Sequence, residues 1–188
     1  MSFTVRAYAQ EDERGWLRCR VLAFLSTQYY DDVKPRRTRF ELPAVCLVAA
    51  ADDGTIVGLI DVEIDGDTAT IDTVAVHPDH THNGIATALL AEAVPQARAA
   101  GATTLDAWTR EDIAANAWYL RAGFTEDFRY LHVYKDGDEP TDGFAAPVGL
   151  SVPVIAFMHA DISHEAEMRA RYSRVYVCRQ YLRRLGDD

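Results

Sequence analysis

Between Ala69 and Leu90 the chain passes from an alternating strand, through a short polar loop, into an Ala- and Leu-rich helix opened by glycine. The strand reads Ala69-Thr-Ile-Asp-Thr-Val-Ala-Val76, the loop His77-Pro78-Asp79-His80-Thr81-His82-Asn83, and the helix starts Gly84-Ile85-Ala86-Thr87. Such a junction forms an anion site. The first helical N–H groups lack intrahelical acceptors, and the helix dipole puts partial positive charge at the same end. Gly84 and Ala86 let a pyrophosphate approach the backbone, and the Thr87 hydroxyl adds a donor. The chain has neither GxxxxGK[ST] nor GxGxxG, so this is neither a P-loop nor a dinucleotide fingerprint.

A second stretch carries chemistry: Asn116-Ala117-Trp118-Tyr119-Leu120-Arg121-Ala122-Gly123-Phe124. Together the two stretches resemble the signatures of the GCN5-related N-acetyltransferases, the GNAT superfamily. Val76-His77-Pro78 and Gly84-Ile85-Ala86 match its acyl-CoA loop, and Asn116 and Tyr119 before Gly123-Phe124 match its second motif. Thr81 stands where the pattern has Gln or Arg, and His82 where glycine is common. The N–H groups that do the work are supplied by any residue.

The resemblance covers about residues 3–134 and implies a fold, a co-substrate and roles. Acetyl-CoA would lie between strands 68–76 and 103–109, its pantetheine amides paired to the backbone of Val74, Ala75 and Val76 like an added strand. Its pyrophosphate would take N–H groups from His82, Asn83, Gly84, Ile85, Ala86 and Thr87. A backbone N–H near Val76 would stabilise the oxyanion. Tyr119 would protonate the departing thiolate, and Asn116 would contact the CoA chain; family members often carry that Asn one turn earlier, where this chain has Asp112.

An alkylammonium with a pKa of about 10.4 must lose a proton before it attacks a thioester. Asp72 is the candidate base, because strict alternation puts Asp72, Val74 and Val76 on one face of the strand. Glu63 and Asp106 are the reserves, and an ordinary hydrogen-bonded Asp on a strand is the equal alternative. His77, His80 and His82 fall close together, but no Cys or carboxylate pattern completes a tetrahedral set, and no metal is expected.

The elements that must position these residues follow from periodicity. Residues 3–8, 46–51, 56–64, 68–76, 103–109, 129–135 and 175–181 read as strands, and 11–25, 84–100 and 112–122 as helices. Asp52-Asp53-Gly54 and Asp65-Gly66-Asp67 are tight turns, so strands two to four form an antiparallel meander. Pro95 should kink the second helix. Residues 26–43 read as a loop, and 136–171 as an irregular insert with one short helix around 163–169. The fold class expected is mixed α/β: one domain over 1–188, with a mostly antiparallel twisted sheet of six to seven strands flanked by helices.

The 188 residues carry 19 basic and 29 acidic side chains, a formal charge of −10 that disfavours nucleic acid. The cluster Lys34-Pro35-Arg36-Arg37 with Arg39 reads as a solvated loop. No apolar run spans a bilayer and no signal peptide is evident, so neither a membrane partner nor a secretory route is expected; the three unpaired-looking cysteines also fit a reducing cytoplasm. Tyr29, Tyr30, Asp31 and Asp32 could wall a site for a cationic amine, or serve only as a packed pair and a cap. In the insert, Phe144, Leu150, Val154, Ile155 and Phe157 could cover a site or form a homodimer contact. The leading reading is an acetyl-CoA-dependent N-acetyltransferase acting on a primary amine, a small molecule before a protein. The alternatives are a non-catalytic acyl-CoA-binding regulatory domain and a module that has lost the cofactor.

Overall fold

Gly54 and Gly66 adopt φ of 83° and 62°, the left-handed conformation their two turns require, and the three flanking strands fold back on one another. In the computed structural model, which describes residues 2–186, these are β2 (Ala44–Ala51), β3 (Ile56–Asp65) and β4 (Thr68–Val76). Before them come β1 (Phe3–Ala7) and α1 (Glu13–Phe24); after them α2 (Ile85–Ala99), β5 (Thr104–Thr109), α3 (Ile113–Arg121) and β6 (Thr125–Lys135). The chain closes with β7 (Ala156–Ala160), α4 (Glu165–Arg171) and β8 (Arg174–Arg184). The sheet has eight strands in the order β1-β2-β3-β4-β5-β8-β6-β7, antiparallel throughout except where β4 runs parallel to β5.

The strand beyond the expected six or seven is β7. It comes from the insert, which the sequence reads as irregular apart from one helix. Ala156-Phe-Met-His-Ala160 is too short and too weakly alternating to announce itself, and it becomes a strand by pairing with β6. Segment 26–43 is a loop, as expected. Pro95 lies inside α2 without ending it, depriving only the Ala91 carbonyl of its i+4 donor.

α2 seats on the sheet through Ile85, Leu89, Leu90, Ala93 and Ala97, all buried and at helical spacing. Burial of each large aliphatic there contributes roughly 1.5–3 kcal/mol. A Cβ on Gly58 would stand 2.4 Å from the Ile85 side chain, so α2 reaches β3 only because that side chain is missing. On the other sheet face α1 buries Trp16 and Cys19 against Val48, Leu59 and Ala75. None of the helices among the described residues is long and apolar enough to cross a membrane.

One irregularity positions the chemistry. Asp61 pairs with Thr73 but Val62 with Ile71, which leaves Asp72 as the extra residue of a β-bulge. The bulge shifts the phase of the strand. Ile71, Val74 and Val76 pack toward the α2 core, whereas Ala75 joins the α1 cluster. The expected shared face of Asp72, Val74 and Val76 is therefore corrected, because strict alternation fails at a bulge.

Candidate active site

Parallel pairing of β4 with β5 ends at Ile71 opposite Ala107, although β4 continues to Val76 and β5 to Thr109. The bulge at Asp72 bends β4 away at this point, and a cleft of about 320 Å³ opens. Residues 71–76 line it on one side, Trp108, Thr109, Asp112, Trp118 and Tyr119 on the other, with Thr81 and Ala86 at one end.

The free edge of β4 can be assigned. His77 donates its N–H to Val57 O of β3 at 2.9 Å, so alternation turns the backbone groups of Ala75 toward β3 as well. Those of Val74 and Val76 face the gap. Of the three residues expected to pair with an extended ligand, Val74 and Val76 have groups to offer, and Ala75 lines the cleft without them.

The loop that follows is built from its own polar groups. Asn83 Nδ2 donates to the carbonyls of His80 (3.1 Å) and Thr81 (3.2 Å), Thr81 Oγ1 donates to Pro78 O, and His77 Nδ1 accepts from Asp79 N. Gly84 is the N-cap of α2 at φ 77° and places no side chain over the helix end. None of the N–H groups from His82 through Thr87 finds an acceptor among the described residues; the first helical bond runs from Ala88 N to Gly84 O. His82 itself has φ 62°, the left-handed region that a non-glycine residue enters at a cost. Left-handed residues at 82 and 84 turn successive N–H groups toward one concavity, the geometry of an anion nest. A Cβ built at Gly84 meets nothing within 4 Å, so the space over this nest is open. A diphosphate fits these donors. The Thr87 hydroxyl instead accepts from Trp118 Nε1 at 3.3 Å.

Tyr119 is 4% exposed, stacked on Tyr181 at 5.3 Å and edge-on to Trp118 and Phe124. Burial pushes its phenol well above the ordinary value, so it remains protonated at neutral pH. The ring is fixed by packing. Asn116 does not share that position. Its Nδ2 donates to the carbonyls of Arg110 (2.7 Å) and Asp112 (2.6 Å), and its Oδ1 accepts from Tyr181 Oη (2.7 Å). Asn116 is spent on holding α3 against β8 and does not line the cleft; Asp112 does, capping α3 through Ala115 N at 2.7 Å.

Three carboxylates reach the cleft. Asp32 is held by the buried Arg20 at 2.8 Å, and Asp112 by its capping bond. Asp72 takes Lys34 Nζ at 3.0 Å and Thr38 Oγ1 at 3.3 Å, both on Oδ2, which leaves Oδ1 without a hydrogen-bond partner among the described residues. The reserves fare worse. Asp106 is buried, accepts from Trp108 Nε1 and Gln180 Nε2, and does not line the cleft; neither does Glu63.

The Tyr29–Asp32 cluster is divided by the fold. Tyr29 lines the cleft and accepts Arg110 N at 3.0 Å, whereas Asp31 is turned to Arg174 in a bidentate pair at 2.6 and 2.8 Å. The basic run 34–39 is likewise only partly the solvated loop expected. Arg36 and Arg39 are exposed, but Arg37 reaches the fully buried Asp61 through two bonds of 2.9 and 3.0 Å. Sequence reasoning missed Arg20 and Arg37, whose partners lie far along the chain. Among the described residues no group of three His, Cys, Asp or Glu side chains is placed to hold a metal.

A strand-edge gap ending at an uncapped helix is the architecture of an acyl-CoA-binding acyltransferase, and comparison with known proteins gives it a family. Residues 8–124 match the model of the acetyltransferase (GNAT) family, and the chain belongs to that family. Mycothiol acetyltransferase of Stackebrandtia nassauensis is 37% identical over 70 residues, which cover 37% of this chain and 23% of that protein. Among solved structures, the ribosomal-protein-S18-alanine N-acetyltransferase of Escherichia coli superposes with a TM-score of 0.62 at 16% identity, covering 100% of this chain and 96% of that one. The PaiA N-acetyltransferase of Thermoplasma acidophilum, solved with coenzyme A, gives 0.57 at 20% identity over 68% and 92%. At these identities the likeness is one of fold. The family is one of acetyltransferases that use acetyl-CoA, and the match to mycothiol acetyltransferase spans about a quarter of that protein's length.

Proposed function

We propose that the protein transfers an acetyl group from acetyl-CoA to the primary amine of a small molecule by direct attack. The observation that carries this reading is the parting of β4 from β5 at Ile71, which opens a cleft between a free strand edge and a protonated tyrosine, reaching Ala86 at the helix end where six N–H groups have no partner among the described residues.

Acetyl-CoA supplies the acetyl group as a thioester. The N–H groups from His82 to Thr87 hold its pyrophosphate, and the Val74 and Val76 edge holds its amides. The Val76 N–H, turned into the gap, is placed to stabilise the charge that develops on the carbonyl oxygen. Asp72 Oδ1 accepts the proton that the ammonium must lose, directly or through a water. Lys34 and Thr38 orient that carboxylate from its other oxygen. Tyr119, protonated at neutral pH, delivers a proton to the leaving sulfur. A small acceptor is favoured because the cleft is only about 320 Å³ and is lined by the aromatic side chains of Phe24, Tyr29 and Trp108.

Calorimetric titration with acetyl-CoA followed by thiol release over a panel of amines tests the reading. Binding and amine-dependent release are expected. Failure to bind acetyl-CoA would remove the phosphate cradle and with it the whole proposal, whereas binding without release to any amine would leave a regulatory acyl-CoA sensor.

A further inference from the structure

Trp108, at the mouth of the cleft, also begins a row of aromatic side chains along the outer half of the sheet. Cross-strand register puts them on one face: Trp108 and Phe128 both flank Gln180, Tyr130 lies beside Cys178, and His132 pairs with His159. Ring centroids are 6.3 Å apart from Trp108 to Phe128, 5.6 Å from Trp108 to Tyr130, 4.7 Å from Tyr130 to His159 and 5.1 Å from His159 to Phe157. The opposite face, bearing Leu131, Val133, Val175 and Val177, is packed under Met168 of α4. The aromatic face keeps Phe128 at 52%, Phe157 at 51% and Trp108 at 37% exposure. So much ring surface on one face, joined to a cleft, marks a binding surface.

Apart from the exposed imidazole of His159, most of its polar atoms are already used. Asp106 accepts from Trp108 and Gln180, and Tyr130 shares a hydrogen bond of 2.8 Å with His132. Burial and the neighbouring Arg110 push His132 down to about 4, so it is neutral near pH 7. The surface therefore offers mainly ring faces and edges, with the His159 imidazole as its open polar group, which suits a flat apolar group better than a sugar or a phosphate. Phe128, Tyr130, Phe157 and His159 all lie beyond residues 8–124, the part that matches the family model, and Phe157 and His159 sit on β7, the strand contributed by the insert.

We infer that this platform binds the body of the acceptor, and that the acceptor is an amine carrying an aromatic group, seated with its amine in the cleft and its ring against Trp108 and the residues beyond it. The inference rests on the acetyl-transfer reading and adds to it a substrate class and the residues that select it.

The test compares phenethylamine with hexylamine at saturating acetyl-CoA, in the full chain and in a Phe128→Ser/Phe157→Ser double variant. Both side chains are half exposed, so the variant keeps its core. The wild type is expected to favour phenethylamine in kcat/KM, and the variant to raise the KM for phenethylamine about tenfold while that for hexylamine moves less than twofold. Equal use of the two amines by the wild type, or a variant that weakens both alike, would overturn the platform while leaving acetyl transfer in place. Equilibrium dialysis of phenethylamine against the CoA-saturated protein gives a readout independent of turnover. Retention that the double variant abolishes supports the platform even if neither amine is acetylated, an outcome that would count against acetyl transfer to small amines alone. No retention by the wild type overturns the platform.

Discussion

Lys34 and Asp72 meet in a 3.0 Å ion pair that ties the loop 26–43 to the bulge of β4. The carboxylate is held through one oxygen, and the other has no hydrogen-bond partner among the described residues. Each side chain of the pair is about a quarter exposed, so the pair itself adds no more than roughly 1 kcal/mol to stability. Its significance is positional.

Asp72→Asn preserves the shape and removes the proton acceptor. Turnover should fall by about 10²-fold or more, with acetyl-CoA affinity within a few-fold and the melting temperature little changed. Lys34→Met leaves the carboxylate and should cost less than tenfold. Steady-state kinetics on both variants decides the matter: equal, small losses would reduce Asp72 to an anchor for the loop.

Tyr119→Phe keeps the ring stacked on Tyr181 and deletes only the hydroxyl. The expected result is a drop in kcat of about ten- to a hundredfold with unchanged binding of acetyl-CoA by calorimetry. Undiminished turnover would remove Tyr119 from the chemistry and leave it a packing residue.

The two left-handed residues of the loop make opposite predictions. Gly84→Val forces a β-branched side chain to φ 77° and places bulk over the nest; acetyl-CoA affinity should fall at least tenfold. His82→Gly relieves strain at φ 62° and should raise stability by about 0.5 kcal/mol, one or two degrees in melting temperature, with affinity retained. A His82→Gly protein that loses the ligand would mean that the imidazole, not the backbone, holds it.

Asp61 is fully buried opposite Arg37. Burial pushes its carboxyl above the ordinary value, and the guanidinium pulls it back only in part. A raised folded-state pKa means that the folded protein binds this proton more tightly than the unfolded chain. The contribution of Asp61 is therefore most favourable below about pH 4 and declines as pH rises through its folded value. Arg37→Met takes away the compensating charge and should destabilise the protein by about 3–5 kcal/mol at pH 7. Relative to wild type, the deficit should shrink as the pH is lowered from 7 toward 5, since protonation then removes the unpaired charge. Denaturant melts across that range measure it, and a deficit independent of pH would show that the loss comes from packing over Tyr8 instead.

Local chemistry made much of this molecule readable in advance. The meander follows from two Asp-Gly turns, α2 from its apolar spacing, and the free N–H groups at the helix start from glycine at a strand-to-helix junction, because each depends on residues within a few positions of one another. Tyr119 was legible through the motif around it. The misplacements have a common cause. Asn116 carries the right side chain for a ligand contact, but its partners, Arg110 and Tyr181, come from separate segments that only the folded chain assembles. β7 exists because β6 offers it an edge.

The sequence by itself thus determined the α/β class, the order of most elements, the strand-loop-helix junction at Gly84 and the family resemblance, all set by short-range periodicity and backbone conformation. Only the tertiary structure decided that β4 bulges at Asp72 and leaves β5 at Ile71, that Lys34 and Arg37 turn inward to Asp72 and Asp61, and that the insert extends the sheet with an aromatic face. Those features depend on strand register and on pairs of residues distant in the chain, whose energies exist only once the sheet has closed and excluded water between them.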